Sequence, residues 1–121
     1  MKTLNKLILE GIDGSINHKS IDQFCEEKNI SFSELTNKLA LLIAKKFDNG
    51  DLSFEKADKA LNCIWGIIIE DISENLPVKS IPRPFFSIYE AFHEGEYDHG
   101  DIDDPDNKFT LPMIKKILKN A

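Results

Sequence analysis

Apolar residues recur every three or four positions along most of this chain, which is the spacing of an amphipathic helix. The clearest stripe follows Ser53 and consists of Phe54, Ala57, Leu61, Ile64, Ile68 and Ile72. Ala60, Trp65 and Ile69 widen that stripe around the circumference of the helix. A helix that is apolar over so much of its surface is expected to be central, with neighbours packed on several sides.

Short polar residues and turn residues divide the rest of the chain into further helices. The same apolar spacing predicts helices over residues 3–10 (ended by the turn "GIDG"), 20–28, 31–47, 84–95 and from 110 onwards. Ser20, Ser31 and Thr110 are placed to cap their helices, because a side-chain oxygen can accept from the free N–H groups of a first turn. Gly50 and Gly95 are predicted helix stops, since glycine adopts a positive φ without strain. The last helix is predicted to face the core with Met113, Ile114, Ile117 and Leu118.

Two stretches interrupt the helical pattern. In "ENLPVKSIPRP", residues 74–84, three prolines exclude a continuous helix and favour an extended crossing, with "PVKSI" as a candidate strand. The second stretch is "FHEGEYDHGDIDDPDNK", residues 92–108, which we name the acidic loop. Together the patterns predict an all-α, single-domain bundle of five or six helices over residues 1–121, with a Pro-rich crossing and an acidic loop before the last helix.

The charge of the chain is concentrated in one region. The formal net charge of the 121 residues is −6, but residues 84–107 carry eight acids and no lysine or arginine, a local charge of −8. Residues 108–121 carry four lysines. These cations are expected to stabilise the C-terminal end of the last helix and to pair with the preceding acids. A field of this sign repels nucleic acid and anionic membranes and attracts cations or basic proteins.

Nucleic-acid binding and membrane insertion are therefore not expected. Nucleic-acid-binding proteins carry a basic patch, and the acidic balance of this chain is the opposite. Four aromatic residues recur at helical spacing in the acidic region: Phe85, Phe86, Tyr89 and Phe92. That spacing predicts packing in the core rather than stacking on bases. The longest apolar run, "LNCIWGIII", is too short for a bilayer, which needs roughly 20 residues.

The remaining sequence features favour a cytoplasmic protein. Residues 1–19 lack the continuous apolar core and the small-residue cleavage site of a signal peptide. Cys25 and Cys63 fall inside predicted helices, where a free thiol behaves as a small apolar side chain. A reducing compartment disfavours a disulfide between them. We therefore expect two free thiols in a cytoplasmic chain.

The acidic loop contains residue types that bind metals, but not at an established spacing. Its aspartates fail the calcium-binding EF-hand register, which needs glycine at the sixth position and glutamate at the twelfth. Nitrogen and oxygen ligands are supplied by His93, Glu96, His99 and Asp101. These four define an alternative hypothesis, a metal-binding sensor or metal-dependent enzyme, although the two histidines lack the one-turn spacing of established sites. With no phosphate loop, nucleophile elbow or CxxC, we expect neither a cofactor nor an enzyme.

The acidic loop can also be interpreted as a docking surface for a basic protein. Complementary charge accelerates association, and an aromatic residue supplies an anchor. The residues predicted to bind the partner are Glu94, Glu96, Tyr97, Asp98, Asp101, Asp103, Asp104 and Asp106. Two alternatives remain open: a solvated loop whose charge maintains solubility, and a housekeeping subunit that acts through oligomerisation. The sequence does not determine the oligomeric state.

Two stretches resemble a group of bacterial proteins. "GDLSFEKADKALNCIWG" (residues 50–66) and "IYEAFHEGEYDH…DDPDNKFTLPMIKKIL" (residues 88–118) are similar to small, helical, largely uncharacterised bacterial proteins, over the C-terminal two-thirds of the chain. Some proteins of this kind are immunity proteins, which neutralise secreted toxins. The resemblance implies a toxin domain as the basic partner, and it assigns no catalytic residue.

Overall fold

Six helices account for most of the part of the chain that the structure describes. The computed structural model describes residues 3–74, 83–96 and 110–119, with the backbone alone for 71–74 and 94–96. The helices are α1 (Leu4–Asp13), α2 (His18–Lys28), α3 (Phe32–Asp48), α4 (Phe54–Glu74), α5 (Arg83–Glu96) and α6 (Leu111–Lys119). No strand occurs within these ranges, so the predicted all-α bundle is confirmed. The Pro-rich crossing before Arg83, with "PVKSI", and most of the acidic loop lie outside the described residues.

Side-chain oxygens set where the early helices begin. The hydroxyl of Ser31 accepts a hydrogen bond from the N–H of Glu34 at 3.1 Å, which confirms Ser31 as the cap of α3. The predicted cap at Ser20 is wrong. The side chain of Asn17 accepts from the N–H of Ser20 at 2.9 Å, so α2 begins earlier, at His18.

α1 extends beyond the predicted residues 3–10. Gly11, expected in a turn, lies inside the helix and is buried against α4. A Cβ atom at position 11 would lie 3.2 Å from the Cβ and 3.3 Å from the Cα of Ala60, so glycine allows the two helices to approach this closely. The helix ends at Gly14, whose φ of 80° is left-handed.

The two predicted glycine stops behave differently. Gly50 has a φ of 84° just after α3, and the next N–H, that of Asp51, donates to the carbonyl of Lys46 at 2.8 Å, which confirms this stop. Gly95 is helical within α5, which continues to Glu96, so the predicted stop there is wrong. Glycine permits a left-handed helix end but does not impose one, and the right-handed conformation continues where the rest of the helix favours it.

The core lies among α3, α4 and α5. α3 contacts all five other helices, while α4 packs against α1, α3 and α5, so α4 has the predicted neighbours but α3 is the more central helix. In α6, Ile114 is buried as predicted, whereas Met113 is 39% exposed and its predicted inward position is wrong. The largest fully buried side chains are Leu7, Ile8, Ile21, Leu35, Leu39, Ile43, Leu61, Ile64, Ile68, Phe85, Ile88 and Phe92.

Polar contacts with α3 position both of the last two helices. The N–H of Phe85, in the first turn of α5, donates to Oδ1 of Asn37 at 3.0 Å. This side chain satisfies one of the N–H groups that a helix start leaves without a partner in its own helix. Nζ of Lys115 in α6 lies 2.7 Å from a carboxylate oxygen of Asp48. Lys115 therefore pairs with an acid of α3.

Candidate functional site

α5 carries the first residues of the acidic loop. His93 is exposed, and Glu94 and Glu96 belong to the last turns of this helix. The other residues predicted to bind a partner lie outside the described residues: Tyr97, Asp98, Asp101, Asp103, Asp104 and Asp106. The docking hypothesis stays a prediction. The described residues give information on α5 and α6, the helices at the two ends of the loop.

One buried hydrogen bond holds the far end of the acidic loop against α5. The hydroxyl of Thr110, just before α6, donates to the backbone carbonyl of Ala91 at 2.8 Å, and Thr110 is 0% exposed. The predicted capping role of Thr110 is wrong, because its hydroxyl bonds to a neighbouring helix instead of the first turn of α6. Thr110 is therefore held beside the C-terminal half of α5, which ends at Glu96.

We expect Thr110→Val to lower the free energy of unfolding by about 1 kcal/mol, since valine keeps the shape of threonine but loses the hydrogen bond. Thr36→Val is the matched control, because Thr36 is equally buried but donates only within its own helix, to the carbonyls of Phe32 and Ser33. Urea denaturation measures both variants. Tryptic cleavage after Lys108 should be faster in Thr110→Val alone; equal rates in the two variants would contradict the anchoring role.

The alternative metal site is only partly within the described residues. The ring of His93 is stacked on that of Tyr89, with 6.0 Å between centroids and an interplanar angle of 10°. Among the described side chains, no three His, Cys, Asp or Glu residues come together as a metal site would require. His99 and Asp101 lie outside the described residues, and the side chain of Glu96 is not described, so this four-residue site also stays a prediction.

A row of aromatic rings between α4 and α5 lies entirely within the described residues. We name Trp65, Phe86, Tyr89 and His93 the aromatic surface. The centroid of Trp65 lies 4.8 Å from that of Tyr89 and 5.5 Å from that of Phe86. His93, one of the first residues of the acidic loop, extends the row beyond Tyr89. Trp65, Phe86 and Tyr89 are half-buried and His93 is exposed, so the row is accessible from solvent.

The sequence prediction for these aromatics was wrong at one of the four positions. Phe85 and Phe92 are fully buried, and Tyr89 is half-buried and packs against the core. Phe86 is half-buried and lies outside the core cluster, so its assignment to the core is wrong. On a helix, residues 86, 89 and 93 form a stripe beside the core stripe of 85, 88 and 92. The offset of one residue between the two stripes was the signal in the sequence for this surface. The outer stripe forms an aromatic surface because Trp65 of α4 lies against it.

The exposed side of α4 continues this surface. Ile69, one turn after Trp65, is 43% exposed. Gly66 is also exposed, and apart from its two chain neighbours and the backbone of its own helix, nothing lies within 4 Å of the position that its Cβ would occupy. The apolar area therefore borders a position where α4 presents only its backbone.

Neither cysteine is in a disulfide, and the Cys25 thiol is not activated as a nucleophile. Both are free thiols, as predicted, although they are half-buried rather than fully buried. Burial, and to a lesser extent the nearby Asp22 carboxylate, raises the pKa of the Cys25 thiol. A raised pKa lowers the fraction of thiolate, which is the reactive form. Cys25 is thus suited to packing rather than to catalysis.

A small groove is lined by residues of α1 and by residues at and just after the end of α3. Its volume is about 180 Å³, and Leu9, 57% exposed, lies on its edge together with Lys46 and Asp51. Ligand pockets usually measure about 300–1,000 Å³, so this groove has the size of a site for one side chain.

The fold and these surfaces define a small all-α bundle with an aromatic surface next to an acidic loop. None of the described helices combines the length and the apolar character that a membrane crossing requires. Comparisons with protein-family models, with curated proteins and with solved structures found no match to this chain.

Proposed function

We propose that this protein is a bacterial, cytoplasmic interaction module that binds a basic protein through its acidic loop, and that it acts as an immunity protein against a nuclease-type toxin. The observation that supports the proposal is the Thr110–Ala91 hydrogen bond, which closes the base of a loop with seven acids. A loop whose ends are held together has less conformational freedom to lose on binding.

The charges of the framework agree with this proposal. Nucleases bind phosphates and so present a basic active site, which a loop of carboxylates can occupy or screen. Lys115 forms an ion pair with Asp48 of α3. The seven acids of the loop, with no lysine or arginine among residues 92–107, give it a strongly negative field that can steer a basic partner during association.

The test compares two variants with the same change in net charge. One replaces Asp101, Asp103, Asp104 and Asp106 with asparagine. The control neutralises four exposed acids elsewhere, Asp13, Glu26, Glu27 and Asp51, with the matching amides. The probe is the nuclease domain of a toxin found to be encoded beside this gene, and stopped-flow fluorescence measures its association rate at several salt concentrations.

We expect the loop variant to associate at least about tenfold more slowly at low salt, with a weaker salt dependence, and the control to stay near the wild type. Equal rates and equal salt dependence in the two variants would reject docking through the loop. Co-expression with the nuclease in cells tests immunity directly: binding without protection, or the absence of a toxin gene beside this one, contradicts that function.

A further inference from the structure

The aromatic surface is an apolar helix face that the described chain leaves partly open to solvent. Trp65, Phe86 and Tyr89 are half-buried, and the adjacent Ile69 is 43% exposed. Aromatic rings contribute most to binding when they are fully desolvated, and contiguous apolar patches on monomers mark interaction sites. This face is therefore a candidate contact, and its neighbouring groups indicate what it binds.

Gly66 keeps the approach to this face open. An alanine in the middle of an exposed helix is favoured over glycine by about 1 kcal/mol, so packing within the chain does not account for this residue. Apart from the two chain neighbours and the backbone of α4, nothing lies within 4 Å of the position that a Cβ at residue 66 would occupy. Because Gly66 adjoins Trp65 and lies three residues before Ile69, the missing side chain leaves room for a partner beside both.

The charges along α5 favour a cation as that partner group. Beyond Arg83, residues 84–107 contain acids but no lysine or arginine. Glu90 is exposed and lies one turn from both Phe86 and His93. A planar cation matches this arrangement, since its face stacks on an aromatic ring while its edge donates hydrogen bonds to a carboxylate.

We propose that the aromatic surface binds an arginine side chain of a basic partner, with the guanidinium stacked on the rings of Trp65 and Phe86 and paired with Glu90. This inference rests on the proposed function, because it specifies how the basic partner is recognised. Arginine fits better than lysine, since its guanidinium is planar and weakly hydrated, whereas the lysine ammonium is a compact, strongly hydrated charge.

The experiment uses the single tryptophan of the chain as its reporter. Peptides of sequence Gly-Arg-Gly-Arg-Gly and Gly-Lys-Gly-Lys-Gly, blocked at both ends, are titrated into the full-length protein while Trp65 fluorescence and the indole N–H signal in NMR are followed. Phe86→Leu and Glu90→Gln are the test variants. Phe32→Leu is the control, because Phe32 is a half-buried aromatic that stacks on His18, away from this surface.

We expect the arginine peptide to bind the wild type roughly 3- to 10-fold more tightly than the lysine peptide, and each test variant to lose most of that preference. Phe32→Leu should keep it. Glu90→Gln retains all the rings, so it tests the proposal even if Phe86→Leu perturbs the fold. Equal binding of the two peptides, or an arginine preference unchanged in both test variants, would overturn the inference.

The acidic-loop variant separates this inference from the proposed function. It should weaken both peptides by a similar factor, because it acts through charge alone. If the loop variant binds both peptides more weakly but the wild type shows no preference for arginine, the proposed basic partner is supported and the proposed aromatic contact is wrong. If the arginine preference appears and the loop variant has no effect, the loop is wrong. Dimer formation detected by light scattering, with Trp65 shielded in the absence of peptide, would instead identify a second copy of the chain as the occupant.

Discussion

Phe92→Ala should lower the free energy of unfolding by about 3–5 kcal/mol, the largest effect we expect from a single substitution in this chain. Phe92 is 0% exposed and joins three helices. Its ring centroid lies 4.9 Å from that of Phe47 in α3, edge to face, and 5.3 Å from that of Phe54 in α4. Alanine would remove both contacts and leave a cavity that helices held on several sides cannot fill by collapse.

Phe86→Ala is the matched control for this prediction, because the same substitution on the same helix removes a ring that is only half-buried. Urea denaturation followed by far-UV circular dichroism should give a loss less than half as large. Phe92→Leu should fall between the two, since leucine refills part of the cavity. Equal losses for Phe92→Ala and Phe86→Ala would contradict the central position assigned to Phe92.

The same glycine-to-alanine substitution should have opposite effects at two positions. Gly66→Ala should raise the free energy of unfolding by about 0.5–1 kcal/mol, because it improves helix propensity where the new methyl group meets nothing. Gly11→Ala gains the same propensity but places a Cβ 3.2–3.3 Å from the Cβ and Cα of Ala60. Because the contact includes backbone of the packed helix α4, we expect a net loss of about 1–2 kcal/mol.

A double-mutant cycle tests the cause of the loss at Gly11. Ala60→Gly moves the small residue to the facing helix, so it should cost less stability in the Gly11→Ala background than in the wild type. Thermal and urea unfolding of the four proteins measure the coupling. Additive effects would show that the contact with Ala60 is not the cause of the loss, and a gain in stability from Gly11→Ala alone would contradict the predicted loss.

Local signals in the sequence were sufficient for the fold class and for several helix boundaries. Helical spacing of apolar residues predicted the bundle, and the stripe from Phe54 to Ile68 is buried except for Phe54, which is half-buried. Ser31 and Gly50 acted as predicted because a cap bond and a left-handed turn involve only neighbouring residues. The concentration of acids in residues 84–107 is likewise a property of the sequence alone.

The candidate sites could be predicted less well from the sequence than the fold. The docking residues follow from charge, and their assignment stays a prediction because most of them lie outside the described residues. The aromatic surface was missed, since Phe86 and Tyr89 share the helical spacing of core residues. Their exposure depends on which stripe of α5 the bundle covers, and on the position of Trp65 in another helix.

By itself, the sequence determined an all-α chain with helices near the predicted places and a strongly acidic stretch before the last of them. Only the tertiary structure decided that Gly11 is a helix contact, that Thr110 ties α6 to α5, and that Asn37 of α3 satisfies the start of α5. The physical reason is the distance along the sequence between the residues that interact. Periodicity and caps depend on residues a few positions apart, whereas these contacts depend on which helix lies against which face.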